Sequence, residues 1–377
     1  VISEMGTANE SFMKLHILDS FDLLPSRYQE DFASNSVSSF DSGLEWFRLL
    51  TKCSLGQEEK PRLFIAENDT GNRVLLPVCL RKSTLGNTQV DSLVNFYSTF
   101  YTPILPSTGH EELLKHLFIK LRNTAPSPIK LSFYPMDPDG HAFSALLGAL
   151  REAGLIPFRY FCFGNWYLPR DGMSWEQYLQ TRTKKMRSNI KRMEKKFADA
   201  QGRIELVTTE GPSLDAAITA YNQVYNSSWK QPEPFPDFVP NLIRMASTAG
   251  WLRLGVAYLG ETPVAAQLWL VCHGKAYIYK VAYDEKFASF SPGTVLTAYL
   301  LRHVLENESI SEVDYLVGDD PYKKTWMSYR RERWGIVAYN PSTLMGLIGI
   351  AWQVAGIARK KMLGALPQLK YKITASS

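Results

Sequence analysis

The run from Tyr277 to Trp326 constrains the fold more than any other part of the chain. An extended, aromatic and β-branched stretch (Tyr277–Tyr283) leads through Phe290-Ser291-Pro292-Gly293 into a long apolar-periodic segment. A second short extended run follows and ends in Gly318-Asp319-Asp320. The pattern predicts strand, helix, strand. Ser291 suits the N-cap, Pro292 the first helical position, and Gly293 lets another group approach the backbone. The N–H groups of Gly293, Thr294 and Val295 are then expected to lack helical partners, and with the helix dipole they favour a pyrophosphate. A well-formed helix start with no ligand accounts for the same residues.

Composition narrows the setting. With 377 residues the chain exceeds what one core usually serves, so two domains are expected. The net charge is only +5, but nine Lys/Arg stand against two acids between Arg182 and Arg203, which suggests either an anionic partner or a solvated helix face. The four cysteines form no CxxC pair and no spaced histidine pair occurs, so no metal and a reducing cytoplasm are expected. The first residues lack the basic start and apolar run of a signal peptide. Leu344–Leu363 is apolar but interrupted by Gln353, Arg359, Lys360 and Lys361. That segment reads as a packed helix or as an interfacial one at the inner face of a membrane, rather than as a span.

Elsewhere the chain reads as mixed α/β. Arg62–Glu67 and Arg73–Arg81 flank Asn-Asp-Thr-Gly-Asn as a hairpin, with Pro77 marking an edge or bulge. Glu111–Arg122 is an amphipathic helix with Leu113, Leu114, Leu117 and Leu121 inward. Ser174 and Gln177 form a capping box. The helix it starts runs to Gly202 and places Met186, Ile190, Met193 and Phe197 on one face, with most of its Lys/Arg elsewhere. A Pro-rich loop spans Gln231–Pro240 and reads as an acceptor-side lid or an ordinary connection. A similar order of elements recurs in the second half. The expected fold is α/β (α+β) in tandem: a degenerate domain at 1–170, a second domain at 171–340 and a helical tail at 341–377.

Several of these residues carry a resemblance. Pro263–Leu268, Tyr277–Tyr283, Phe287-Ala288-x-Phe290-Ser291-Pro292-Gly293-Thr294, Asp314 and Gly318-Asp319-x-x-Tyr322-Lys323-x-x-Trp326 resemble the GNAT superfamily of acyltransferases. They are similar in particular to its FemAB-like/CelD-like branch of cellulose and envelope polysaccharide synthesis. The basic run Arg182–Arg192, Leu75–Val78 and Asn95–Ser98 resemble that branch too. The resemblance implies tandem GNAT-like domains, each a mixed sheet flanked by helices. It also implies acyl transfer from acyl-CoA (acetyl-CoA) to an amine, such as an amino sugar, by direct attack in a ternary complex. A backbone N–H of the strand Ala276–Tyr283 would polarise the donor carbonyl. The usual Gln/Arg-x-x-Gly-x-Gly/Ala loop is replaced by Ser-Pro-Gly, so an aminoacyl-tRNA donor, as in FemAB relatives, stays open beside acyl-CoA. A non-catalytic binding protein at a membrane assembly is a third reading.

In this frame Asp319 is the expected base, with Asp314 as its substitute and Tyr322 as proton donor to the leaving group. Ser291, Gly293, Thr294 and Val295 are the expected donor site. Lys323, Lys280, Tyr283, Gln267 and Arg187 are expected on the acceptor side, where the partner is a small-molecule or glycan acceptor, anionic in character, with tRNA ranked behind it. His303 and Trp326 are expected in the core.

Overall fold

The computed structural model describes residues 13–35, 39–82 and 86–373. From the amino end come β1 (Met13–Leu18), α1 (Ser26–Asn35), α2 (Leu44–Cys53), β2 (Lys60–Asn68), β3 (Arg73–Lys82), β4 (Thr88–Ser92), α3 (His110–Asn123), β5 (Lys130–Met136) and α4 (His141–Glu152). There follow β6 (Ile156–Pro169), α5 (Trp175–Thr181), α6 (Lys184–Asp199), β7 (Gly202–Val207), α7 (Pro212–Asn226) and α8 (Phe238–Thr248). Last are β8 (Leu252–Leu259), β9 (Thr262–Cys272), β10 (Lys275–Tyr283), α9 (Pro292–Asn307), β11 (Glu312–Asp314), α10 (Pro321–Trp326), β12 (Tyr329–Tyr339) and α11 (Leu344–Ile373).

These elements form two compact units, and the division is not sequential. Among the described residues, the first unit takes Met13–Leu24, Gly56–Cys162 and Arg333–Ile373; the second takes Pro25–Leu55 and Phe163–Glu332. The expected boundaries at 170 and 340 are corrected accordingly. The reason is pairing. Trp334–Tyr339 of β12 lies antiparallel to Lys130–Met136 of β5, which ties the end of the chain to the first unit. The early segment around α2 belongs to the second unit because its aromatics are buried there, Phe40 against Tyr277 and Trp46 against Phe238.

In the first unit the strands run β1-β2-β3-β4-β5-β12, with β4 parallel to β5 and the other neighbours antiparallel. Leu113, Leu114, Leu117 and Leu121 of α3 face the core, beside Leu76, Phe133 and Leu146. Pro77 lies where the β4 ladder has ended, so its missing N–H breaks no bond there. Beyond Ser132 the parallel pair opens, and the chain fills the opening itself. The Tyr101 N–H donates to the Pro135 carbonyl (2.7 Å), and its fully buried hydroxyl donates to the Pro77 carbonyl.

The second unit has the order β6-β11-β10-β9-β8-β7, with β10 parallel to β11 and the rest antiparallel. The capping box forms as expected: Ser174 Oγ accepts from the Gln177 N–H, and Gln177 returns the bond. Ile190, Met193 and Phe197 of α6 are buried against α9, with Met186 at the margin.

Candidate active site

The geometry of the site starts from how little of β10 is paired. On one side β10 bonds to β9 as far as Tyr283. On the other it meets β11 only from Lys275 to Tyr277, because β11 is three residues long. A bulge at Tyr279 twists the strand just past that point. From Lys280 onward no strand among the described residues pairs with that side of β10. Val281, Ala282 and Tyr283 there line a cavity of about 530 Å³, a volume in the range of small-molecule sites. Ser291–Thr294 and Thr297 of the α9 start form a second wall. Trp229, Tyr315, Asp320, Tyr322 and Trp326 complete it.

The helix start differs from the expected anion cup. Ser291 adopts a left-handed conformation (φ 48°), and its side chain caps nothing. Its carbonyl instead accepts from both the Thr294 N–H (3.0 Å) and the Val295 N–H (3.1 Å). Of the three expected orphan donors, only the Gly293 N–H lacks a partner among the described residues. Val295 is buried away from the cavity. A Cβ on Gly293 would lie 3.3 Å from the Tyr283 ring, so the glycine lets the helix approach β10 closely.

Gln267 holds this approach together. It is 1% exposed, and its amide donates to the Gly293 carbonyl (3.1 Å) and the Thr297 hydroxyl (2.7 Å). Its oxygen accepts from Trp269 Nε1 (2.9 Å). Gln267 lines the cavity, but its polar atoms are committed inward rather than offered to an acceptor.

The acidic residues divide by direction. Gly318 has φ 106°, a conformation open to glycine alone without strain, and the chain turns there. Asp319 leaves the cavity and binds Arg330 through two bonds of 2.7 Å, with Trp166 Nε1 at 3.1 Å. The Arg330 guanidinium holds its carboxyl below the usual range. Asp320, one residue on and not singled out from the sequence, lines the cavity instead, with Lys323 Nζ 3.4 Å away. Asp314 is 3% exposed and bound to Arg331, Asn165 and the Leu316 N–H. That network ties β11 to its neighbours and keeps Asp314 out of the cavity lining.

Tyr322 lines the cavity, edge-on to the buried Tyr315 at 5.6 Å, and burial raises its hydroxyl above the ordinary range. Lys323 is buried; its Nζ donates to the Val317 carbonyl, and burial lowers its pKa. Lys280 forms a partly buried pair with Glu233 (2.8 Å), which fastens the Pro-rich loop to β10. Lys230, at the head of that loop, was missed by sequence reasoning. Burial, then the neighbouring Lys280 charge, brings it down to about 8. Its ammonium lies 5.8 Å from the centre of the Trp229 ring, on the cavity wall. Trp326 lines the cavity although it is also part of the core, and His303 is half-buried beside Glu308 at 3.5 Å.

The opposite side of α10 borders a second cleft of about 1120 Å³. Arg182, Lys185, Arg192 and Lys324 line it with Thr183, Ser188 and Asn189, and among the described residues no carboxylate does. Arg187 is not among them: its guanidinium donates to the carbonyls of Leu179, Gln180 and Arg182 and closes the end of α5. In the first unit, His110 and His141, each opening a helix, come together with Glu111, with ligand atoms within 4.8 Å of one another. The expectation of no metal rested on spacing along the chain, which does not register such a pair.

This architecture pairs a strand edge released by a parallel neighbour with a helix start across a cavity. Residues 184–324 match the acetyltransferase (GNAT) domain family. The chain carries a GNAT acyltransferase domain. No curated protein sequence matches the chain. The crystal structure of FemX is similar at TM-score 0.59 and 12% identity, covering 84% of this chain and 96% of that one. The C-terminal domain (DUF2156) of a putative lysylphosphatidylglycerol synthetase from Agrobacterium fabrum is similar at TM-score 0.52 and 11% identity, covering 87% and 96%. At such identities these structures speak to the fold alone, which this chain shares with FemX. The GNAT match lies wholly within the second unit and takes in β10, the α9 start and α10 as far as Lys324.

Proposed function

We propose that the second unit moves an acyl group, acetyl in the simplest case, from coenzyme A to an amine on an anionic acceptor, in envelope polysaccharide or glycolipid synthesis at the cytoplasmic side. The observation that carries the reading is that Val281–Tyr283 of β10, past the end of its β11 pairing, and Gly293 of the α9 start line one cavity. A thioester laid along that edge would have its carbonyl polarised by a backbone N–H fixed before the reaction begins. The acceptor nitrogen then attacks the acyl carbon, forming C–N as C–S breaks. Asp320 takes the proton from nitrogen, and the Tyr322 hydroxyl gives one to the departing sulfur. Asp319 is assigned the positioning of Arg330 rather than the base. In the first unit Tyr101 occupies the corresponding opening, which supports reading that domain as degenerate.

The cationic cleft beyond α10 supports an acceptor bearing phosphate, and the same cleft favours aminoacyl-tRNA as a second reading of the donor. Calorimetry on the full chain separates them. Coenzyme A and acetyl-CoA are expected to bind at micromolar concentration; no binding at millimolar concentration, with salt-sensitive tRNA binding in its place, overturns the coenzyme A reading.

A further inference from the structure

The geometry points to α11 as a membrane-surface anchor that docks the chain on an anionic bilayer. One face of this helix is fixed to the first unit. A Cβ on Gly346 would lie 1.9 Å from the Asn340 carbonyl oxygen, and one on Gly349 2.2 Å from the Tyr339 ring. Gln353 Nε2 donates to the Tyr339 hydroxyl (3.3 Å). These three residues share one side of the helix, and the glycines let it lie directly on the end of β12.

The opposite side is apolar and bare. Leu344 is 74% exposed, Leu347 50%, Trp352 75% and Val354 54%, with Ile348 beside them. At 100° per residue these five fall on one stripe facing away from Gly346, Gly349 and Gln353. A large, contiguous exposed apolar stripe marks an interaction surface.

Charge selects the occupant. Leu344–Ile373 contains five Lys/Arg (Arg359, Lys360, Lys361, Lys370 and Lys372) and no Asp or Glu. Two copies of such a helix would set cations against cations, whereas an anionic lipid surface complements them. The tryptophan on the stripe suits the headgroup boundary. Among the described residues no helix is long and apolar enough to cross a membrane. An apolar face with basic residues belongs to a helix lying in the interface plane.

The test is co-sedimentation of the full chain with phosphatidylglycerol/phosphatidylcholine vesicles and with phosphatidylcholine alone. Partitioning onto the anionic vesicles is expected to be at least tenfold stronger and to weaken as salt rises, since each cation engaged contributes about fivefold. Trp352→Glu and Leu347→Glu, both at exposed positions, are expected to reduce it about tenfold with an unchanged circular dichroism spectrum. Three results would overturn the proposal: no sedimentation with anionic vesicles, equal partitioning of the variants and the parent, or self-association abolished by Trp352→Glu without lipid binding. Acyl transfer to a soluble acceptor reads independently of all three.

Discussion

Gln267 offers the sharpest test of how the donor wall is held. Gln267→Met keeps the volume and removes every hydrogen bond. The Gly293 carbonyl still accepts from the Thr297 hydroxyl (2.9 Å), so that end loses little. Trp269 Nε1 is different: its ring is fully buried, and its one bond goes to Gln267. Stranding that donor costs about 1–3 kcal/mol, and the lost amide bonds add about 0.5–1 kcal/mol. A total of about 1.5–4 kcal/mol in a unit of this size lowers Tm by roughly 3–16 °C. Thermal unfolding checks this, and coenzyme A affinity is expected to fall with it as the α9 start loosens. Trp269→Phe placed on top of Gln267→Met removes the stranded donor, so the double variant is expected to recover ~1 kcal/mol against the sum of the singles. An unchanged Tm with a raised KM for the acceptor would refute the strut and return Gln267 to the acceptor side.

Two further outcomes follow from the titrating groups. Asp320→Asn is expected to lower kcat about 10²-fold or more with little change in donor affinity, while Asp319→Asn changes kcat by less than about tenfold; steady-state kinetics of both variants decide, and the reverse ranking restores Asp319 as base. Lys230 titrates near 8 in the folded chain against 10.5 in the free side chain, so between those values the unfolded chain holds the extra proton, and stability rises with pH across that window. Urea unfolding from pH 7 to 10.5 is expected to show that rise in the parent and a flatter profile in Lys230→Met; identical profiles would mean Lys230 is not desolvated.

Local chemistry made much of this legible. The capping box, the apolar face of α6 and the strand-helix-strand run from Tyr277 each depend on neighbours within a few turns, and each formed where the residues indicated. The cavity depends on something the sequence does not display: β11 stops after Asp314 while β10 runs on to Tyr283, so register, not residue type, opens the site. Which carboxylate faces the cavity turned on a single backbone angle at Gly318, which sends Asp319 to Arg330 and Asp320 to the cavity. The donors of the α9 start were misjudged because Ser291 turned left-handed and its carbonyl, not its hydroxyl, met the first N–H groups. His110 and His141 could be found only once two helices stood side by side.

The interleaving of the two units has a consequence for how the chain is made. Both units contain segments separated by long stretches belonging to the other. As synthesis proceeds, the first sheet waits for β12 until more than three hundred residues have emerged, with the flank of β5 that β12 will cover left unpaired. The early segment around α2 likewise waits for Tyr277 and Phe238 before its aromatics find their places. Neither half can therefore be released as a finished domain by cutting the gene at one point. Expression of residues 171–340 alone would discard Phe40 and Trp46 from one core and retain β12 without its β5 partner. Long-range closure of this kind favours slow folding and exposed intermediates.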